Sequence, residues 1–182
     1  MKKQALVIID VQHDYFKGGR MELVNPEAAA ANISKVLEQS RREGIPVIYI
    51  QHIAMDPGAG FLVVNTPGIE INAAVAPIAG EQVIVKQYPN SFRETALHAY
   101  LQEKGITHLV ITGMMTHVCV DATTRAAKDL GYSCTVISDA CATRALEADG
   151  ETVEASQVQQ AFMGSLAFYY ADVQTAERFL GN

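Results

Sequence analysis

Tryptophan is absent from the 182-residue chain, cysteine occurs three times and proline six. Three cysteines, an odd number without regular spacing, do not make the disulfide framework of a small secreted domain. At least one thiol is therefore expected to be there for its reactivity, and the cytoplasm is the expected compartment. Long apolar runs are missing as well. The run ALVII before Asp10 is typical and falls far short of the roughly 20 residues that span a bilayer. Met1, Lys2 and Lys3 ahead of it superficially resemble the start of a signal peptide, but Asp10 ends the run early and no small-residue cleavage site follows. Clustered cations are lacking too. Fourteen Lys and Arg stand against twenty Asp and Glu, for a net charge of −6, and no basic tract exceeds Lys2-Lys3 or Arg41-Arg42. Nucleic-acid affinity is built on dense positive charge, so that class of partner is excluded, as is a membrane.

Hydrophobic residues make up 49% and charged residues 19% of the chain, a globular composition rather than a disordered one. At about 150 residues per domain, residues 1–182 are expected to form a single domain with a small molecule as its partner.

Short β-branched runs alternate with longer amphipathic segments, which predicts βαβ units and a parallel sheet. ALVIID (5–10) is the first strand, apolar until its final carboxylate, as in a strand covered on both faces. Asn25, Pro26 and Glu27 predict a helix start, with Asn25 as N-cap, and the helix runs to about Glu43. PVIYIQ (46–51) is the second strand and GEQVIVK (80–86) the third, ending in a cation. Residues 52–80, broken repeatedly by Gly and Pro, have no assigned element, and a loop of this length is expected to serve as a lid or interface. The strip FLVV (61–64) is its expected subunit contact. Ser91 and Glu94 fit a capping box, predicting a helix from there to Lys104. THLVITG (107–113) is strand four, about 119–130 a helix and SCTVISD (133–139) strand five. A long helix from about 151, a brief strand at Asp172-Val173 and a terminal helix complete the chain. The expectation is α/β, a three-layer Rossmann-like sandwich of six parallel strands. In such sheets ligands bind beyond the carboxyl ends of the strands.

Asp10, Lys86 and Cys119 all fall at, or one turn beyond, such strand ends. Singly each has a bland reading as a turn cap, a solvated strand end or a small core residue. Together they offer coherent chemistry. A helix start and the ammonium of Lys86 would favour a thiolate at Cys119, and Asp10 could take and return a proton. The implied reaction is acyl transfer to cysteine followed by hydrolysis.

The blocks DVQHDYF (10–16), VIVKQYPNSFRET (83–95), VITGMMTHVCVDATTRAA (110–127) and SDACAT (138–143) resemble the signatures of the isochorismatase-like cysteine hydrolases, in order and spacing, over about residues 4 to 170. The resemblance implies a sheet of order 3-2-1-4-5-6 and a catalytic triad falling on Asp10, Lys86 and Cys119. It also implies a cis peptide between Met114 and Met115, an oxyanion hole from the amides of Met115 and Cys119, and a homo-oligomer. The activity it implies is amidohydrolase cleavage of a C–N bond in a small amide-like metabolite. A vinyl ether hydrolase using Asp10 as acid and an idle oligomeric binding protein are the alternatives. Under that order strand two separates Lys86 from Asp10 by roughly 10 Å, so the lysine stem must bend toward the crevice.

Gln12 and Phe16 are expected to line the substrate pocket, as a hydrogen-bond donor and an apolar wall. Asp14 is expected to brace its loop. His13, His52 and His117 invite a metal reading, but Gln51-His52-Ile53 lacks the Asp-x-His pattern of the metal-binding nicotinamidases of that family. His117, Cys119 and Cys141 lack a fourth ligand. No metal and no cofactor are therefore expected.

Overall fold

The computed structural model describes residues 3–181. Eight strands and five helices follow one another as β1 (Gln4–Ile9), α1 (Pro26–Arg42), β2 (Val47–His52), β3 (Gln82–Lys86), α2 (Leu97–Glu103), β4 (His108–Met114), α3 (Asp121–Asp129), β5 (Ser133–Ala142), β6 (Leu146–Ala148), β7 (Glu151–Val153), α4 (Ala155–Tyr169), β8 (Asp172–Gln174) and α5 (Ala176–Phe179). Six strands form one parallel sheet in the order β3-β2-β1-β4-β5-β8, and β6 with β7 is a separate hairpin. Since β8 is the sixth strand to enter the sheet, this is the 3-2-1-4-5-6 order. No helix among the described residues is long and apolar enough to cross a membrane.

The pleat of β1 divides the core in two. Leu6 and Ile8 point to one face, where α1 packs with Ile33, Val36 and Leu37. Ala5, Val7 and Ile9 point to the other, against Leu97 and Leu101 of α2, Ala127 of α3 and Met163 and Leu166 of α4. A strand buried on both faces needs an apolar residue at every position, which is why its first polar residue, Asp10, marks its end. Each fully buried aliphatic side chain of α1 contributes about 1.5–3 kcal/mol.

Several local expectations change. Pro26 opens α1 as expected, but Asn25 sits in the left-handed region at φ 53° and its side chain caps nothing. The box at Ser91 and Glu94 does not form. The Ser91 hydroxyl pairs with Thr123 Oγ1 at 2.8 Å, Glu94 takes φ 56°, and the helix begins only at Leu97. Ser91 is thus spent on holding the loop to α3. The hairpin β6–β7 occupies the stretch expected to open the long helix, which starts at Ala155 behind a capping box of Glu154 and Gln157. Residues 52–80 fold as three single turns, at Pro57–Ala59, Pro67–Ile69 and Ala73–Val75. Their bridges, Gln12 to Ile71 and Ala54 to Val63, bind the segment to the turn after β1 and to itself. The FLVV strip turns inward: Leu62 and Val63 are buried within this chain, so its apolar character is explained without another subunit.

Gly113 lets β4 approach β1 at the level of Asp10. It adopts φ 125°, and a Cβ there would meet the Ile9 carbonyl oxygen at 2.0 Å. Gly113→Ala is expected to lose on the order of 3 kcal/mol of stability, combining backbone strain with a clash against backbone that cannot yield. Urea denaturation measures it, and a loss below about 1 kcal/mol would contradict this account.

Candidate active site

Four adjacent strands each deliver one side chain to the same point. Asp10 follows β1 with φ 51°, a conformation its short polar side chain tolerates, while its amide still donates to Ile50 O of β2 at 2.9 Å. Lys86 ends β3 in register with His52 of β2. Cys119 lies in the π-turn Thr116–Val120 between β4 and α3, a distortion that recurs at functional sites.

The lysine does bend across. Its Nζ lies 2.7 Å from Asp10 Oδ2, 3.0 Å from His52 Nδ1 and 3.2 Å from Cys119 Sγ. The triad is almost dry: Asp10, Lys86 and Cys119 are 0%, 1% and 3% exposed. No backbone amide among the described residues donates to the Asp10 carboxylate, so its countercharge is the ammonium.

Burial acts against the charged form of every group here, and the neighbours decide the outcome. Desolvation opposes the Lys86 ammonium, but Asp10 and then Cys119 outweigh it and hold the lysine above its ordinary value. For Cys119 desolvation is largest and Asp10 adds to it, so the thiol is pushed well up despite the opposing pull of Lys86. Burial and the carboxylate thus pull the sulfur toward the thiol, against the thiolate that the helix start and the ammonium favour. Desolvation and then Lys86 lower His52.

Asp10, His52 and Cys119 place potential ligand atoms within 4.8 Å of one another, a donor set of the zinc type. Lys86 touches all three, so a divalent ion among them would stand about 3 Å from a fixed positive charge, and the arrangement does not fit a metal as built. The other histidines go elsewhere: His117 to Thr143 at 2.6 Å and His13 toward Glu70 at 4.0 Å.

Gln12 has a different task from binding substrate. Its Nε2 donates to His52 O and Ile69 O, each at 2.8 Å, and its Oε1 accepts from His52 N at 2.8 Å. Both amide hydrogens are thereby used within the chain. Asp14 braces its loop as expected, accepting from Arg20 N at 3.2 Å and Leu62 N at 2.6 Å. Phe16 lines a cavity of about 490 Å³ with His13, Lys17 and Arg20, to which no member of the triad contributes. Its neighbour Tyr15 is the aromatic that feels the site: burial and then the charge of Asp10 raise its hydroxyl well above its usual value. The turn His13–Tyr15 has three residues per turn, so Gln12 and Tyr15 share its inward face. No sequence signal separates Tyr15 from Phe16 without that turn. The peptide between Met114 and Met115 is cis. Met115 opens the turn that carries Cys119, and its carbonyl accepts from Val118 N and Val120 N.

Comparison with known proteins places this geometry in context. The isochorismatase domain model matches residues 4–177. The uncharacterised isochorismatase family protein YddQ of Bacillus subtilis (strain 168) is 49% identical over 176 residues, 97% of this chain and 98% of that protein. A crystal structure from Oleispira antarctica assigned to the isochorismatase hydrolases superposes with a TM-score of 0.95 at 45% identity, covering 100% of this chain and 97% of that one. The N-carbamoylsarcosine amidase from Thermoplasma acidophilum superposes at 0.79 with 27% identity, over 97% and 98% of the two chains. A match of sequence and fold along nearly the whole length shows that the chain belongs to the isochorismatase family and is a hydrolase of that family.

Proposed function

We propose that the protein is a cysteine-dependent amidohydrolase that cleaves the C–N bond of a small amide-like metabolite. The observation that carries this reading is the single ammonium in contact with both Asp10, at 2.7 Å, and Cys119, at 3.2 Å, inside a buried site. The N-carbamoylsarcosine amidase among the structural relatives supports C–N chemistry on this fold.

Because the resting sulfur is protonated, its proton leaves as it attacks. Asp10 accepts the proton of Cys119 while the sulfur bonds to the substrate carbonyl carbon. The amides of Met115 and Cys119 receive the oxyanion, and Lys86 balances the negative charge moving between sulfur and carboxylate. Collapse breaks the C–N bond, Asp10 hands its proton to the departing nitrogen, and a thioester on Cys119 remains. Asp10 then takes a proton from a water that attacks the thioester. The C–S bond breaks, the acid is released and the sulfur regains the proton. Exclusion of bulk water around side chains this buried strengthens each of these interactions. The same reading has the enzyme working without a metal, in the cytoplasm, as a homo-oligomer.

A panel of small amides, ureides and nicotinamide, read by released ammonia and by the mass of trapped acyl-enzyme, tests the assignment. Cys119→Ala is expected to lower turnover by about a thousandfold or more while the melting temperature changes by only a few degrees. An unchanged rate would overturn covalent catalysis and favour vinyl ether hydrolysis with Asp10 as acid. The state of the sulfur has its own readout. Since burial and Asp10 raise the thiol, alkylation of Cys119 by iodoacetamide should keep accelerating as pH rises beyond the ordinary thiol range. A plateau near neutrality would mean a resting thiolate and would contradict the proton-transfer step.

A further inference from the structure

An ammonium has three hydrogens to donate and accepts nothing. At Lys86 three acceptors lie within contact distance, and the third is neither Asp10 nor Cys119 but the Nδ1 of His52, at 3.0 Å. We infer that His52 is a positioning residue, a neutral acceptor at the end of β2 that fixes the Lys86 ammonium midway between the strand it starts from and the carboxylate and sulfur it serves.

Topology creates the need. β2 lies between β3 and β1, so the lysine stem passes over β2 to reach Asp10, and His52 is the β2 residue in register with Lys86. The His52 backbone is held on both sides, its N–H donating to Gln12 Oε1 and its carbonyl accepting from Gln12 Nε2, each at 2.8 Å. The next residue is held too, as Ile53 N donates to Lys86 O at 3.0 Å. The ring is thus anchored to the turn that follows Asp10 and to the strand that carries Lys86. Gln12, with no hydrogen left for substrate, belongs to the same device.

The bond fixes the tautomer. Lys86 donates, so Nδ1 is bare and the ring hydrogen is on Nε2. A neutral acceptor adds no charge to compete with Asp10. It removes a freedom, leaving the other two ammonium hydrogens directed at the groups whose charge changes during reaction. A shift of one ångström at a catalytic group can cost a hundredfold in rate.

The inference rests on the cysteine-hydrolase reading for its catalytic consequence, but its first test does not. In the ¹⁵N spectrum of histidine-labelled protein, with the His52 signals assigned by their loss in His52→Asn, Nδ1 should resonate as an unprotonated nitrogen and Nε2 as a protonated one. The reverse tautomer or an imidazolium at neutral pH would overturn the proposal. The second test compares His52→Asn with His52→Leu. Asparagine carries a carbonyl oxygen where Nδ1 stands, whereas leucine fills space without an acceptor. With fold checked by thermal melting, Cys119 alkylation by iodoacetamide should stay within about twofold of wild type in His52→Asn and slow about tenfold in His52→Leu, because only the latter lets the ammonium drift from the sulfur. Equal rates in the two variants would overturn the positioning role. If the buried site excludes the reagent from all three proteins, the tautomer decides. Turnover persisting in Cys119→Ala would sink the amidohydrolase reading and leave both of these results intact.

Discussion

One buried ammonium organises the C-terminal end of this sheet. Taking a charge out of water costs several kcal/mol in a protein interior, and the attraction of Asp10 at 2.7 Å returns about 6 kcal/mol at an effective dielectric constant near 20. The two terms are close to balance. The pair therefore adds little net stability, yet it cannot be taken apart cheaply, since removing either partner strands the other and costs roughly 3–5 kcal/mol. A structure built around such a pair has few alternative arrangements at that point. The close approach at Gly113, the left-handed turn at Asp10 and the stapled β2 end all serve to bring oxygen, nitrogen and sulfur to Lys86.

The same closeness restrains the sulfur. An ammonium alone would ionise Cys119, but a carboxylate shares the pocket, and burial favours the neutral thiol. Proton transfer to Asp10, as in the proposed function, suits such a sulfur better than a standing thiolate. In the proposed mechanism the nucleophile forms only as Asp10 takes the proton, so that charge moves along a short path beside Lys86 instead of waiting at the sulfur.

The end of β1 was legible in the sequence because both faces of that strand are covered: a polar residue that closes it has nowhere to go but the rim, and this marked Asp10, whereas Lys86 closes a strand with one exposed face, at Val83 and Val85, and was marked only as the cation at its end. The strand order and the cis peptide came with the family resemblance. What could not be read depended on partners distant in the chain. Ser91 fits a capping box locally, but Thr123 lies beside it in space and takes its hydroxyl. Gln12 resembles a substrate donor until His52, forty residues on, and Ile69 consume its hydrogens. His52 was weighed only as a metal ligand, since nothing local indicates that a lysine from the next strand donates to its ring. Tyr15 and Phe16 differ by one residue in a turn whose phase the sequence does not carry.

Those distant bonds also bear on how substrate range is set. Asp14 accepts from Leu62 N, Gln12 donates to Ile69 O, and Gly68 packs so tightly on Asp14 that a Cβ would come within 2.2 Å of its carboxylate. The turn after β1 and the loop of residues 57–75 are therefore clamped into one body. A body with that many buried polar bonds cannot change shape piecemeal, because each broken bond leaves a desolvated group unpaired at about 1–3 kcal/mol. Under the proposed function, the residues of this loop that make none of the clamping bonds are the ones free to vary with substrate, while Gln12, Asp14 and Gly68 preserve the frame in which Lys86 finds its three acceptors.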